Sequence, residues 1–164
     1  MLEEKGGWFV MNVREGQWRE HPKFGRTCGF EGTERFPHTG ARIWVIEPGS
    51  PNCYYHRESG QEDFLILAGE ATLLVNGEER PVKAWDYIHC PPGVSHVLVG
   101  AGEGPCTFLA IGHRPQEHEL YYPESELARR HGAEATEPTS DPRVAYSDVG
   151  APPQDIEPPE WPIT

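Results

Sequence analysis

Two short segments of this 164-residue chain carry residue types able to do chemistry together. In Tyr54-Tyr55-His56-Arg57-Glu58-Ser59-Gly60-Gln61-Glu62, His56 and Glu58 alternate, so on a β-strand their side chains leave one face, and Glu62 returns after a short turn. In Pro91-Pro92-Gly93-Val94-Ser95-His96, the second imidazole follows a Pro-Gly turn at which a strand can start. Neutral imidazole nitrogens with one or two carboxylate oxygens are a ligand set for a first-row divalent ion. Taken singly, each histidine reads as a polar residue at a strand end; the joint spacing is what points to a metal centre made by His56, Glu58, Glu62 and His96. Tyr54 shares parity with His56 and is a candidate polar contact for a substrate or, equally, a cap on the core.

The elements that must position these residues are strands. Between about residues 41 and 112, runs of four to eight apolar and β-branched residues recur between turn signals, with no helical periodicity. The expected strands are Arg42 to Ile46, Asn52 to Arg57, Asp63 to Leu67, Ala71 to Val75, Arg80 to Lys83, Asp86 to Cys90, His96 to Val99 and Cys106 to Ile111. Asn76-Gly77 predicts a tight hairpin, because both residues tolerate positive φ. Phe64, Ile66 and Leu98 are expected on the apolar wall of a pocket, and His89 on the outer surface.

Residues 1–40 form an N-terminal extension whose apolar Trp8 to Val13 suits a strand added to a second subunit, giving a homodimer. Within residues 113–164, Pro123 to Gly132 predicts a short helix, with proline and acids early, bases late and glycine at the stop. From Thr136 onward, the Pro- and acid-rich composition predicts an extended or disordered arm.

With 26 acidic against 14 basic residues, the formal charge of −12 disfavours nucleic acid and anionic membranes as partners. No apolar run approaches the length of a bilayer span and Trp8 to Val13 lacks a leader pattern, so the expected location is cytoplasmic. Cys28, Cys53, Cys90 and Cys106 form no C-x-x-C pair and read as reduced thiols.

At these residues the chain resembles the cupin superfamily, in particular its small single-domain prokaryotic members. The family's first motif, G-x5-H-x-H-x3-4-E-x6-G, is met by His56, Glu62 and Gly69, with Glu58 where the second histidine stands and Gly49 one residue early for the opening glycine. The second, G-x5-P-x-G-x2-H-x3-N, is met by Pro91, Gly93 and His96, with Trp85 in place of the glycine and Gly100 in place of the asparagine. The resemblance implies an all-β fold, a double-stranded β-helix (jelly-roll) barrel over residues 41–112, here followed by a short C-terminal helix and an extended tail. It also implies one bound divalent metal ion, with Fe, Mn, Zn and Ni as the candidates, and it implies no single reaction.

Glu58 is the informative departure. As a ligand it would make a less positive centre; just outside the ligand shell it would be a carboxylate placed for general base work. Its alternate position in the strand favours coordination. The expected function is a metal-dependent enzyme of oxygenase or isomerase type acting on a small organic molecule, with Glu58 and Tyr54 as its catalytic candidates. The alternative is a module that binds a metal or small molecule without turnover.

Overall fold

In this computed structural model, residues 7–31 and 34–160 are described. After a single 3-10 turn at Val13–Glu15 come twelve strands and two helices: β1 (Trp18–His21), β2 (Gly25–Gly29), β3 (Thr39–Ile46), β4 (Arg57–Glu58), β5 (Glu62–Ala68), β6 (Glu70–Val75), β7 (Glu78–Lys83), β8 (Tyr87–Cys90), β9 (His96–Ala101), β10 (Cys106–His113), β11 (Leu120–Tyr121), α1 (Glu126–Arg130), α2 (Pro142–Ala145) and β12 (Gln154–Ile156). The strands build a seven-stranded sheet in the order β12-β1-β2-β3-β10-β5-β8, a three-stranded sheet β7-β6-β9, and a small pair β11-β4. All of these ladders are antiparallel.

The two larger sheets close over one core. Ile46, Phe64, Ile66, Ile88 and Phe108 from the larger sheet meet Ala71, Leu73 and Leu98 from the smaller. Phe108 and Ile66 have no exposed surface, so the apolar faces that alternation assigns to β5 and β10 are buried where the jelly-roll reading requires. At the β6-β7 turn, Asn76 (φ 45°) and Gly77 (φ 82°) both lie in the left-handed region, the backbone of a two-residue hairpin of primed type. That turn is also tied to the segment beside β9, because the Gly77 amide donates to the Tyr55 hydroxyl at 3.2 Å.

The expected Asn52 to Arg57 strand does not form as a ladder. Instead, isolated bridges Pro48↔Gly100, Pro51↔Val99 and His56↔His96 run beside β9. Proline lacks the amide hydrogen that a continuous ladder requires, so Pro48 and Pro51 leave the segment irregular. Strict alternation is therefore lost. Tyr54, Tyr55 and His56 send their rings to three different places: Tyr55 packs on Leu74, Val97 and Val99, Tyr54 joins Phe24 and Tyr122, and His56 lines a cavity.

The chain beyond Thr136, expected to be extended or disordered, is docked. Tyr146 meets the Phe24 and Tyr122 rings edge-on and lies tilted against Tyr54, Ala145 is fully buried, and β12 pairs with β1 in the register Trp18↔Ile156. Composition misled here because a few anchors, Tyr146 and Ile156 among them, are enough to hold a polar segment on a preformed surface. The predicted helix appears as α1, with Ser125 as its N-cap accepting from the Ala128 amide. At the other end, Trp8 to Val13 forms no strand: Met11 and Val13 pack toward Trp18, whereas Trp8 and Val10 stay exposed, at 66% and 83%.

Trp85 occupies a glycine position of the resembled motif, and its backbone carries the cost. Its φ of 75° lies in the left-handed region, the turn being fixed by the hydrogen bond its amide donates to the Ile66 carbonyl at 2.8 Å. A non-glycine residue there costs roughly 1–2 kcal/mol, and the indole, 76% exposed, recovers little through packing. Trp85→Gly should therefore raise the unfolding free energy by about 1 kcal/mol in urea denaturation; a loss of stability would refute the strain assignment. For the docked arm, amide exchange should show protection at Gln154–Ile156 comparable with β1, and free exchange throughout 141–156 would contradict the docking.

Candidate metal centre

His56 and His96 face one another across a backbone bridge in which the His56 amide donates to the His96 carbonyl at 3.3 Å and the His96 amide to the His56 carbonyl at 2.8 Å. This mutual exchange of hydrogen bonds puts both rings on one side, with centroids 5.1 Å apart. Each imidazole is then oriented in the same way. His56 Nδ1 donates to the Tyr54 carbonyl at 2.8 Å, and His96 Nδ1 donates to the Val94 carbonyl at 2.9 Å, in each case two residues upstream. A carbonyl can only accept, so Nδ1 carries the hydrogen and Nε2 is directed inward.

Glu62, the first residue of β5, meets both inward nitrogens with one oxygen: Oε2 lies 2.8 Å from His96 Nε2 and 3.3 Å from His56 Nε2. Ligand atoms of His56, Glu62 and His96 all fall within 4.8 Å of one another. The donor set fits a divalent ion, because two imidazoles locked in the Nε2-ligating tautomer and one carboxylate oxygen converge on a point with their outer nitrogens already held. Burial disfavours the Glu62 carboxylate, but hydrogen bonds and charge from both histidines outweigh it and hold its carboxyl well below the usual range. Burial likewise opposes a charged His56, yet the adjacent Cys53 sulfur and the Glu62 carboxylate raise its pKa well above 6.5. In the metal-free protein the proton takes the place a cation would take.

Around the centre lies a cavity of about 290 Å³ lined by Arg42, Trp44, Glu58, Phe64 and His118 among others. Glu58 reaches this cavity but stands outside the three-donor group. Its Oε2 is 3.4 Å from His118 Nε2, and Gly60 is tight against it, since a Cβ there would lie 2.9 Å from Glu58 Oε1. Desolvation, reinforced by the Glu62 charge and opposed by His56, pushes the Glu58 carboxyl up to about 7.

Tyr54, expected at the pocket wall, does not line the cavity. Its hydroxyl donates to Asp148 at 2.7 Å and accepts from Lys23 Nζ at 2.7 Å; the irregular path after Pro51 turns the ring away. What Tyr54 brings to the centre is its carbonyl, the acceptor for His56. Phe64 does line the cavity, whereas Ile66 and Leu98 belong to the deeper core. His89 points outward and pairs with Asp63 at 2.7 Å. His118 and Arg42 went unforeseen; neither has a local sequence signal, since one sits in a loop and the other on the first strand of the barrel.

Residues 42–112 match the profile of the cupin domain family. A 75-residue stretch is 27% identical to an uncharacterized protein of Methanocaldococcus jannaschii, covering 46% of this chain and 60% of that protein. A 77-residue stretch is 32% identical to an oxalate-binding protein of Thermotoga maritima, covering 45% of this chain and 64% of that protein. The chain thus spans less than two thirds of the length of either curated relative. In three dimensions it is similar to a sugar phosphate isomerase of Silicibacter pomeroyi, with a TM-score of 0.63, 19% identity and coverage of 71% of this chain and 83% of that one. It is also similar to a predicted oxalate decarboxylase of Thermotoga maritima, with a TM-score of 0.58, 24% identity and coverage of 65% and 99%. At such identities the likeness is one of fold.

The titrations of the centre set a pH dependence for the metal-free protein. His56, raised in the folded state, contributes stability that is complete below 6.5 and is lost as pH rises through its folded pKa. Glu62, lowered, contributes stability that is present above 4.5 and is lost only in acid. Glu58, raised to about 7, favours the folded state as the neutral acid and costs stability as pH rises from 4.5 through that value. Thermal unfolding of metal-free protein should therefore fall to lower temperature as pH rises above about 6.5, and Glu58→Gln should remove part of the fall. A flat profile from mildly acidic to mildly alkaline pH would contradict the assignment.

Proposed function

We propose, from the premise that residues 42–112 make this chain a member of the cupin superfamily, that it is a metal-dependent enzyme of oxygenase or isomerase type acting on a small organic molecule. The observation that carries the reading is the convergence of three donors with both histidine Nδ1 atoms already bonded to carbonyls. His56, Glu62 and His96 hold one divalent ion, which when bound supplies Lewis acidity and open coordination positions.

The chain's own residues supply the rest. Glu58, in the same cavity with a carboxyl near 7, takes or returns a proton at Oε2, with His118 beside that oxygen to share it. Phe64, Trp44 and Ala110 give the cavity an apolar wall, which strengthens the electrostatics on that side of it. In this reading Glu58 acts as base rather than as a fourth ligand, supported by its position outside the donor group and its contact with His118. The similarity to the oxalate-binding protein of Thermotoga maritima favours a second reading in which the same centre binds a small molecule without turnover.

Elemental analysis of protein purified without an affinity tag should find a divalent metal in the wild type and a large deficit in His96→Ala; equal content in both would reject the centre. Reconstituted with iron, manganese, nickel or zinc and screened on diketones, catechol-like aromatics and sugar derivatives, Glu58→Gln should lose roughly 10²–10⁴-fold in turnover while keeping its metal. Turnover unchanged in Glu58→Gln would overturn its role as base, and saturable binding without product in the wild type would establish the second reading.

A further inference from the structure

The distribution of ion pairs singles out a few arginines. In a chain with 26 acidic and 14 basic residues, an arginine readily finds a carboxylate. Arg19, Arg26, Arg80, Arg114, Arg129, Arg130 and Arg143 each have one within 4.0 Å. Among the described residues, Arg35, Arg42 and Arg57 have no such pair, and all three line cavities: Arg35 and Arg42 the one holding the metal donors, Arg57 an outer groove that shares Glu58 and His118 with it. Guanidinium groups left without a carboxylate in so acidic a protein, and concentrated at the cavities, are placed to pair with a ligand.

Sheet register explains how Arg42 reaches the centre. On β3, β10 and β5 the cross-strand rows are Trp44, Phe108 and Ile66; then Arg42, Ala110 and Phe64; then Gly40, Gly112 and Glu62. The members between Arg42 and the donors, Ala110 and Gly112, carry only a methyl group and a hydrogen, so β10 raises no bulky side chain between the guanidinium and Glu62, while the Arg114 guanidinium lies over Gly40 in the next row. Trp44 lies beneath Arg42, with the guanidinium carbon 6.0 Å from the ring centroid, which orients the side chain without neutralising it. Arg35 is brought to the same cavity by a different device. Arg114 binds Glu31 through both carboxylate oxygens and also donates to the Phe36 carbonyl at 2.6 Å, pinning both Glu31 and Phe36 beside the cavity. Arg114 thereby takes both Glu31 oxygens; Arg35 acts on that carboxylate only at longer range, and among the described residues no carboxylate oxygen lies within 4.0 Å of it.

We propose that the ligand of this cavity is a small organic oxyanion, a carboxylate or a phosphate monoester, whose charged group is held by Arg42 and Arg35 while its other end faces His56, Glu62 and His96. This deepens the reading of the cavity as a metal-dependent site and rests on it. The charge balance agrees. A divalent ion facing Glu62 and Glu58 leaves a centre close to neutral, and the two guanidinium groups then make the cavity cationic within an anionic protein, which concentrates and orients anions.

The test is calorimetric titration of the manganese-loaded full chain with malonate, with glycerol 3-phosphate and with neutral malonamide, alongside a separate measurement of manganese affinity. One of the two anions should bind at least about tenfold more tightly than malonamide, and which one does so identifies the carboxylate or the phosphate as the source. Arg42→Gln and Arg35→Gln should each weaken that anion by about tenfold or more with manganese affinity unchanged. Arg42→Lys should recover only part of the loss, because the forked geometry is gone. Anion binding unaltered in the Arg35→Gln, Arg42→Gln double variant, or malonamide bound as tightly as both anions, would overturn the proposal. If the wild type takes up no manganese, the metal reading fails by itself; the anion proposal is then read on metal-free protein, where the same loss in Arg42→Gln upholds it and its absence refutes it.

Discussion

Everything at the centre depends on one carboxylate oxygen. Glu62 Oε2 stands within hydrogen-bond reach of two imidazole nitrogens, one from the irregular segment beside β9 and one from β9 itself. Three polar groups, one buried and two half-buried, brought together in this way are costly unless each is satisfied, and here each is. The outer nitrogens are spent on backbone carbonyls, and the inner ones share a carboxylate whose position is set by a strand end in the seven-stranded sheet. The barrel's role is to hold three points of chain, far apart in sequence, to the tolerance that such an arrangement demands.

The two sheets make unequal contributions. The three-stranded sheet brings β9, and with it His96, against the backbone of His56, so imidazole placement is a matter of main-chain pairing. The larger sheet brings side chains in rows, so Glu62, Phe64 and Arg42 are placed by register. A slip of one residue in β3 or β5 would turn Arg42 or Glu62 out of the cavity, whereas the histidine pair would survive it. The imidazole pair and the side-chain rows thus rest on different structural guarantees.

How much of this was legible in the sequence follows the same division. His56, Glu62 and His96 could be read directly, because their spacing and the Pro-Gly turn before His96 are local features, and the Asn76-Gly77 hairpin is local as well. Arg42 and Ala110 are neighbours only through pairing between strands almost seventy residues apart, and no local pattern announces that. The direction of Tyr54 was misread since alternation was assumed where Pro48 and Pro51 had removed the ladder. For the C-terminal arm, average composition concealed single anchors such as Tyr146. Trp85 shows a different limit: the motif calls for glycine, the backbone conformation confirms why, and the chain carries tryptophan all the same.

The docking of the C-terminal arm bears on the order in which the molecule is completed. Tyr54, whose carbonyl holds His56, is itself held from behind, its amide donating to the Tyr146 hydroxyl at 3.2 Å and its own hydroxyl to Asp148. These contacts span 92 and 94 residues, and β12 returns to β1 later still. On a ribosome, where domains form as the chain emerges, the strands through His113 can assemble well before the segment that steadies His56 exists. A nascent chain therefore passes through a stage in which both imidazoles and the carboxylate are present but one imidazole lacks its backing. The geometry that, with ligand type, would let the centre discriminate among metal ions is complete only once the segment holding Tyr146 and Asp148 has docked behind Tyr54.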